Sequence, residues 1–347
     1  MDPLLAGLLS SAPPRVSSIQ AEELLQTHWG IDGSAQEIAC ERDQNFRIFS
    51  ASSAGYVLKL SNPVESPENT DFQTAALRWL ERVDPALPFP RAVAALNGCH
   101  SIPLTLPDGR TSMARVLSWL DGAPLHHFGI TQSMQSEIGS VLARLGHALA
   151  KFDHPGAHHD LLWDIRNLPR LHPLMEVLDD DEIGEMVRSE LARFGPETAP
   201  QLSHLRRQVV HNDMNHHNIL VDPETPDRIS GVLDFGDMVN THLVIDVAVA
   251  ASYLASEAEP LDAVTRMVAA YHAVTPLQKE EIVLLRDLIV ARLVASITIT
   301  TWRAARYPEN ADYILRNNGP AKAAMLCFAS LPTEDVTRAL LRACNME

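Results

Sequence analysis

The sequence predicts an α+β chain in two parts: a small mixed part over residues 1–120 and a larger, mainly helical part over residues 121–347. Strand-like runs cluster before residue 120, whereas apolar positions recur at helical spacing through most of the chain after residue 130. A chain of 347 residues is long enough to form two domains or lobes with a large buried core.

The first part alternates helices with strands. Helical patterns cover 21–29, where Gly30 follows the last apolar position, and 69–83, where Asp84-Pro85 ends the pattern. Strand-like runs cover 45–50, 56–60 and 112–119, and the small residues of 51–55 predict a hairpin turn between the first two runs.

The second part is mainly helical, with patterns at 131–153, 177–194, 243–256, 261–273, 277–303 and 334–344. Its one clear β feature is a pair of apolar runs, 219–221 and 229–235, separated by the turn-forming residues of 222–227. These two runs predict a β-hairpin.

The charge, the apolar runs and the cysteines of the sequence disfavour several classes of function. The formal net charge of −16, from 44 acidic and 28 basic residues, disfavours binding to nucleic acid or to an anionic membrane. It suits a cationic or zwitterionic small molecule, although solubility alone would also explain it. No apolar run reaches the roughly 20 residues that span a bilayer. Four scattered cysteines indicate neither a disulfide framework nor a zinc site, so we expect a cytoplasmic chain.

The stretch HNDMNHHNIL, residues 211–220, carries polar side chains directly before the first strand of the predicted hairpin. Antiparallel pairing would put Asn218, before this strand, beside Asp234, at the end of the second strand. An amide oxygen next to a carboxylate suits Mg²⁺, which takes one or two protein ligands and completes its shell with water and phosphate. Taken singly, an asparagine or aspartate beside a strand is most often a turn residue.

Asp213 lies in the same loop and can approach the same place. A carboxylate there could accept a proton from a hydroxyl group and orient its oxygen for attack. His211, two residues earlier, is better suited to bracing the loop. The joint pattern H-x-D-x-x-x-x-N, then strand, turn, strand and D-F-G, is typical of the catalytic loop and metal-binding segment of kinases.

On these motifs the chain resembles the aminoglycoside phosphotransferase family, and within it the hydroxylysine kinases. The resemblance rests on HNDMNHHNILVD with GVLDFGDM, and extends to ERDQNF, YVLKLSNP, ARVLSWLDGAPL and TWRAARYPENADYIL. It implies a bilobal protein-kinase-like fold, with a small β-rich N-lobe that binds nucleotide and a larger helical C-lobe that carries the catalytic loop and binds the substrate.

The resemblance also implies an activity. It predicts a kinase that transfers the γ-phosphoryl group of ATP or GTP, with Mg²⁺, to a hydroxyl group of an amino-bearing small molecule, hydroxylysine first. Homoserine, choline-like alcohols and aminoglycosides remain open as acceptors. A nucleotide-binding pseudokinase is the alternative of another class, although the motif residues are intact.

The resemblance assigns nucleotide-binding residues in the first part. Lys59 matches the lysine that binds the α- and β-phosphates, Asn45 lies in the loop that covers them, and the backbone around Leu117 and Trp119 matches the hinge that binds the purine. The helix position that usually supplies a glutamate partner for the lysine matches Gln73 instead. Asp71 could supply the missing charge.

Acceptor-binding residues are predicted only from segments that resemble hydroxylysine kinases, and these contain Trp163, Arg292 and Arg303. An arginine inside an apolar helix could bind an amino-acid carboxylate, and an internal salt bridge is the open alternative. Asp237 could contact metal or substrate, or cap a helix. Asp246 lies inside the apolar helical pattern 243–256, and the resemblance implies that it braces the catalytic loop.

Overall fold

The computed structural model describes residues 12–40, 42–50 and 55–346. It forms two compact units. The first contains the residues up to Gly122 together with 154–159 and 230–233, and the second contains the rest. The predicted hairpin turn at 51–55 lies outside the described residues except for Gly55.

The first unit is built around an antiparallel sheet. Its elements are α1 (Ser18–Trp29), β1 (Ser34–Ile38), β2 (Gln44–Phe49), β3 (Tyr56–Leu60), α2 (Pro67–Val83), β4 (Ala92–Val93), β5 (Ile102–Thr105) and β6 (Thr111–Ser118). The sheet order is β1-β2-β3-β6-β4, and β5 also pairs with β6. The sequence-predicted helices and long strands of this part are all present, with ends shifted by three residues or fewer.

The sheet of the first unit has one apolar and one polar face in its centre. The antiparallel register places Asn45, Lys59 and Arg115 in a single row across β2, β3 and β6. The neighbouring row on the other face is fully buried in the core and consists of Phe46, Leu58 and Val116. Lys59 therefore projects from the face opposite the core, as the alternation in YVLKL predicts.

The second unit is mainly helical. Its helices are α3 (Gln132–Leu149), α4 (Glu182–Arg193), α5 (Ala199–Leu202), α6 (Leu243–Ser252), α7 (Pro260–Val274), α8 (Lys279–Arg306), α9 (Ala311–Ile314), α10 (Asn318–Cys327) and α11 (Thr333–Ala343). Residues Ile165–Val177 form 3-10 turns, which two prolines keep from extending as an α-helix. Among the described residues, no helix is both long and apolar enough to cross a bilayer.

The predicted hairpin exists with different bounds. Strand β9 (Ile219–Asp222) joins β10 (Thr225–Val232) through Pro223-Glu224 alone, so 225–227 belong to a strand and not to a turn. The predicted second strand extended to Phe235, and this was wrong. Asp234 has φ 56° and ψ 81°, a left-handed conformation that cannot continue a strand, and so follows β10 by two residues.

Short strands were missed in this unit. Strand β7 (Ala123–Pro124) pairs with β9, and β8 (Arg207–Val210) pairs antiparallel with β11 (Val239–His242). Strands of two to four residues are too short to display alternation, so the expectation of a single β feature was wrong. The β8–β11 pair helps to position the loop that begins at residue 211, because β8 leads directly into it.

Candidate active site

The loop 211–218 connects β8 to β9 and is held by contacts from the second unit. The His211 ring is fully buried and meets the Phe235 ring edge-on, with 4.9 Å between centroids. The backbone N–H of Asn212 donates to the Asp246 carboxylate at 2.7 Å. These contacts fit the bracing roles expected for His211 and Asp246.

Asn212 has an unusual conformation in this loop. Its φ of 63° lies in the left-handed region, which asparagine tolerates better than most residues. Its side chain is fully buried, and neither its oxygen nor its nitrogen has a hydrogen-bond partner among the described residues. Backbone strain combined with an unsatisfied buried amide is a cost that proteins concentrate at functional sites.

Asp213 is held by donors on both carboxylate oxygens. Oδ2 accepts from Nδ2 of Asn218 at 2.8 Å and from Nδ2 of Asn215 at 3.0 Å. Oδ1 accepts from Nη2 of Arg292 at 3.0 Å. The predicted base therefore has a fixed orientation.

Electrostatics link Asp213 to the second predicted metal ligand. Burial raises the pKa of Asp213 to about 6. The positive charge of Arg292 lowers this pKa, and the negative charge of Asp234 raises it further. Asp234 is thus close enough for the two carboxylates to interact. Its own side chain accepts from the Gly236 backbone N–H at 3.2 Å, which helps to hold the turn after β10.

The predicted metal ligands present hard oxygen atoms. Asn218 uses its amide nitrogen in both hydrogen bonds to Asp213, which leaves the amide oxygen for a cation. Within the part of the chain that the structure describes, no group of three or more His, Cys, Asp or Glu side chains could hold a metal ion. An ion at Asn218 and Asp234 would take its remaining ligands from phosphate and water, the usual pattern for Mg²⁺.

Arg292 lies within α8 and is 2% exposed. Besides Asp213, it donates to the Tyr253 hydroxyl at 3.2 Å and to the Trp163 carbonyl at 3.3 Å, and its guanidinium lies 4.9 Å from the Trp163 ring centroid. The structure thus contains an internal salt bridge, the open alternative for this arginine. Arg303, eleven residues along the same helix, is also buried.

In the first unit, Lys59 has a carboxylate partner that the sequence did not indicate. Its Nζ lies 4.0 Å from Asp43, whose other oxygen accepts from the Asn62 backbone N–H at 3.0 Å. Asp71, the expected source of the charge, instead lies 3.2 Å from His154. Gln73 accepts a hydrogen bond from Arg115, the neighbour of Lys59 in the polar row.

The other predicted nucleotide-binding residues lie near the same strands. Asn45 is the cross-strand neighbour of Lys59 and is buried. Leu117 pairs with Val57, and Trp119 follows the end of β6, where its ring stacks on the Arg47 guanidinium at 4.0 Å. Asp237 ends the short 3-10 turn Phe235–Asp237 in the second unit. Its negative charge is one of those that raise the pKa of Arg292 against the effect of burial.

Sequence reasoning missed three residues that contact the candidate site residues. Asn215 could have been found, because it lies in the same polar loop as Asp213. Tyr253 had no signal, since one tyrosine near a helix end is common. Asp43 was quoted only as part of a loop, and its pairing depends on the register of β2 with β3.

Comparisons with known proteins identify the family of this chain. Residues 36–282 match the phosphotransferase enzyme family. A hydroxylysine kinase of Mus musculus is 31% identical over 332 residues, covering 88% of this chain and 87% of that protein. A homoserine kinase of Methylobacillus glycogenes is 32% identical over 248 residues, covering 68% and 70%.

Solved structures are similar in fold. An amicoumacin kinase in complex with AMP-PNP, Ca²⁺ and its ligand has a TM-score of 0.69 at 11% identity, covering 97% of this chain and 100% of that one. An aminopropanol kinase has a TM-score of 0.64 at 16% identity, covering 94% and 100%. At these identities the likeness shows the fold alone, which is the kinase-like phosphotransferase fold.

Fold, motif and loop geometry together define a kinase-like phosphotransferase. More particularly, the chain belongs to the phosphotransferase enzyme family and is an enzyme that phosphorylates a small molecule on a hydroxyl group.

Proposed function

We propose that this enzyme transfers the γ-phosphoryl group of ATP or GTP to the hydroxyl group of an amino-bearing small molecule, with hydroxylysine as the first candidate. The observation that carries the proposal is the contact of Asp213 with Asn218 at 2.8 Å, in a loop whose following hairpin ends near Asp234. Similarity to hydroxylysine kinases over 88% of the chain supports the choice of acceptor.

Asp213 acts as the proton acceptor. Its carboxylate is fixed by three donors, so the hydroxyl oxygen of the acceptor can be aimed at phosphorus. The acceptor oxygen forms a bond to the γ-phosphorus as the bond from that phosphorus to the β–γ bridging oxygen breaks. The hydroxyl proton passes to Asp213, and the nucleoside diphosphate leaves.

Asn218 and Asp234 are the residues that would hold a divalent ion, for which we propose Mg²⁺. The donor set fits, since it consists of one amide oxygen and one carboxylate. When bound, the ion would neutralise charge on the transferred phosphoryl group. The amide nitrogen of Asn218 meanwhile fixes Asp213, so a single side chain would link the metal ligands to the base.

Nucleotide binding is proposed for the polar face of the first unit's sheet. Lys59 would bind the α- and β-phosphates, with Asn45 beside it, and the backbone at Leu117 and Trp119 would bind the purine. Asp43 restrains the ammonium group of Lys59 from 4.0 Å away. A lysine whose position is restrained loses less side-chain entropy when it binds phosphate.

The acceptor is proposed to be cationic or zwitterionic, with Trp163, Asp237 and Arg303 as candidate contacts. The net charge of −16 and the carboxylates of Asp213, Asp234 and Asp237 favour a bound ammonium group. We propose a cytoplasmic location, which the four free cysteines support.

The experiment is a product assay over a panel of acceptors: hydroxylysine, homoserine, choline, aminopropanol and an aminoglycoside, each with Mg-ATP and Mg-GTP. We expect phosphorylated hydroxylysine to form fastest, and D213A to form none above background. Faster turnover of homoserine would reassign the acceptor. Tight nucleotide binding without turnover of any acceptor would overturn the proposal in favour of a regulatory pseudokinase.

A further inference from the structure

The carboxylate of Asp213 has one acceptor position that its neighbours leave open. An ionised carboxylate offers about four lone-pair sites, two on each oxygen. Among the residues that the structure describes, Oδ2 receives two donors, Asn215 and Asn218, whereas Oδ1 receives only Arg292. The free site is therefore on Oδ1, the oxygen that Arg292 contacts.

Arg292 is itself rigidly placed. Its guanidinium makes hydrogen bonds to the Tyr253 hydroxyl and the Trp163 carbonyl in addition to Asp213, and it is 2% exposed. These partners come from different segments of the second unit, so the side chain cannot rotate without breaking several contacts. An arginine held by several contacts restricts the orientation of the carboxylate to which it donates a hydrogen bond.

We infer that Arg292 is a positioning residue for phosphoryl transfer: its contact with Oδ1 sets the direction of the carboxylate lone pair that receives the acceptor's proton. This inference rests on the proposed function, because it concerns the base of that reaction. It gives Arg292 a role different from direct binding of the acceptor, for which its buried and engaged guanidinium is poorly placed.

The tests are R292M, which removes the guanidinium but keeps a long side chain, and R292K, which keeps a charge. The matched control is R286M in the same helix. Arg286 is 4% exposed and donates to the Ala329 carbonyl at 2.5 Å and to Asp287 at 3.1 Å, so it is equally buried but bonded to other partners.

We expect R292M to lower kcat on the order of 10²-fold, the size expected when a reacting group is displaced by about 1 Å. The KM values for acceptor and nucleotide should stay within about threefold, because a buried positioning arginine would contact neither substrate. R292K should recover part of kcat, since an ammonium group can still donate to Oδ1. R286M should leave kcat nearly unchanged at temperatures where it is folded.

Two kinetic results would overturn the inference. A raised KM for the acceptor with unchanged kcat would mean that Arg292 binds the acceptor. An equal loss of kcat in R286M and R292M would mean that the effect is loss of folding stability.

A structural readout covers the case in which the wild type phosphorylates no acceptor, which would defeat the proposed function. Crystal structures of the wild type, R292K and R292M then decide positioning alone. We expect the Asp213 carboxylate to rotate in R292M and to shift less in R292K. An unchanged Asp213 rotamer in R292M would overturn the inference whatever the activity.

Discussion

Replacing Asp213 with asparagine tests the site most severely. The carboxylate accepts three N–H donors, from Arg292, Asn215 and Asn218, on its two oxygens. An asparagine side chain has one oxygen, so its NH₂ group must face at least one of those donors whichever way it turns. The substitution therefore removes the proton acceptor and also breaks a buried hydrogen-bond network.

Each loss has an expected size. Removing a general base lowers kcat by about 10²- to 10⁴-fold. Leaving the Arg292 guanidinium buried beside a neutral group costs about 3–5 kcal/mol in the free energy of unfolding. We expect both effects in D213N, measured by a coupled assay of nucleoside diphosphate release and by urea unfolding.

The control is E281Q, which breaks an ion pair elsewhere between a buried carboxylate and an arginine whose side chain is 38% exposed. The Glu281 side chain is fully buried and accepts two hydrogen bonds from Arg206, at 2.6 and 2.9 Å. E281Q should lose less stability than D213N, because water can solvate the partly exposed Arg206 guanidinium, and it should retain kcat below its unfolding transition. The reasoning would be refuted if D213N kept kcat within about tenfold of the wild type, or if E281Q lost activity to the same extent.

Three further predictions concern other residues. K59M should raise the KM for nucleotide by about ten- to hundredfold, which corresponds to the free energy of one charge-assisted hydrogen bond. The control K151M, on the surface, should leave this KM unchanged. Equal KM values in the two variants would contradict phosphate binding by Lys59. N212G should have a free energy of unfolding about 1 kcal/mol higher than that of N212A, measured by urea unfolding, because alanine is strained at a φ of 63°. A more stable N212A would contradict this reasoning. Burial raises the pKa of Cys344 to about 11, so only a fraction of ~10⁻³ of this residue is thiolate at pH 8. Iodoacetamide should therefore label the exposed Cys99 before Cys344, as followed by mass spectrometry. Equal labelling rates of the two cysteines would contradict this prediction.

The sequence was informative where a function depends on fixed offsets in one segment. Asp213 and Asn218 are five residues apart in a single loop, so the motif alone brings them together, and the structure places them 2.8 Å apart. Periodicity was equally effective for long elements such as α8, whose apolar positions repeat over many turns.

Contacts between distant segments could not be predicted in this way. Arg292 and Asp213 are 79 positions apart in the sequence, and they meet only because tertiary packing brings α8 next to the loop. Asp43 reaches Lys59 only through the register of β2 with β3, which local patterns do not fix. In both cases the sequence indicated that a charge needed a partner, but not which partner it would find.

The most direct test of the central claim is a crystal structure with Mn²⁺ in place of Mg²⁺ and a non-hydrolysable ATP analogue. Anomalous scattering locates the metal independently of the protein coordinates. We predict a manganese peak within bonding distance of both the Asn218 amide oxygen and the Asp234 carboxylate. A peak bound by neither side chain, with phosphate present, would contradict the account.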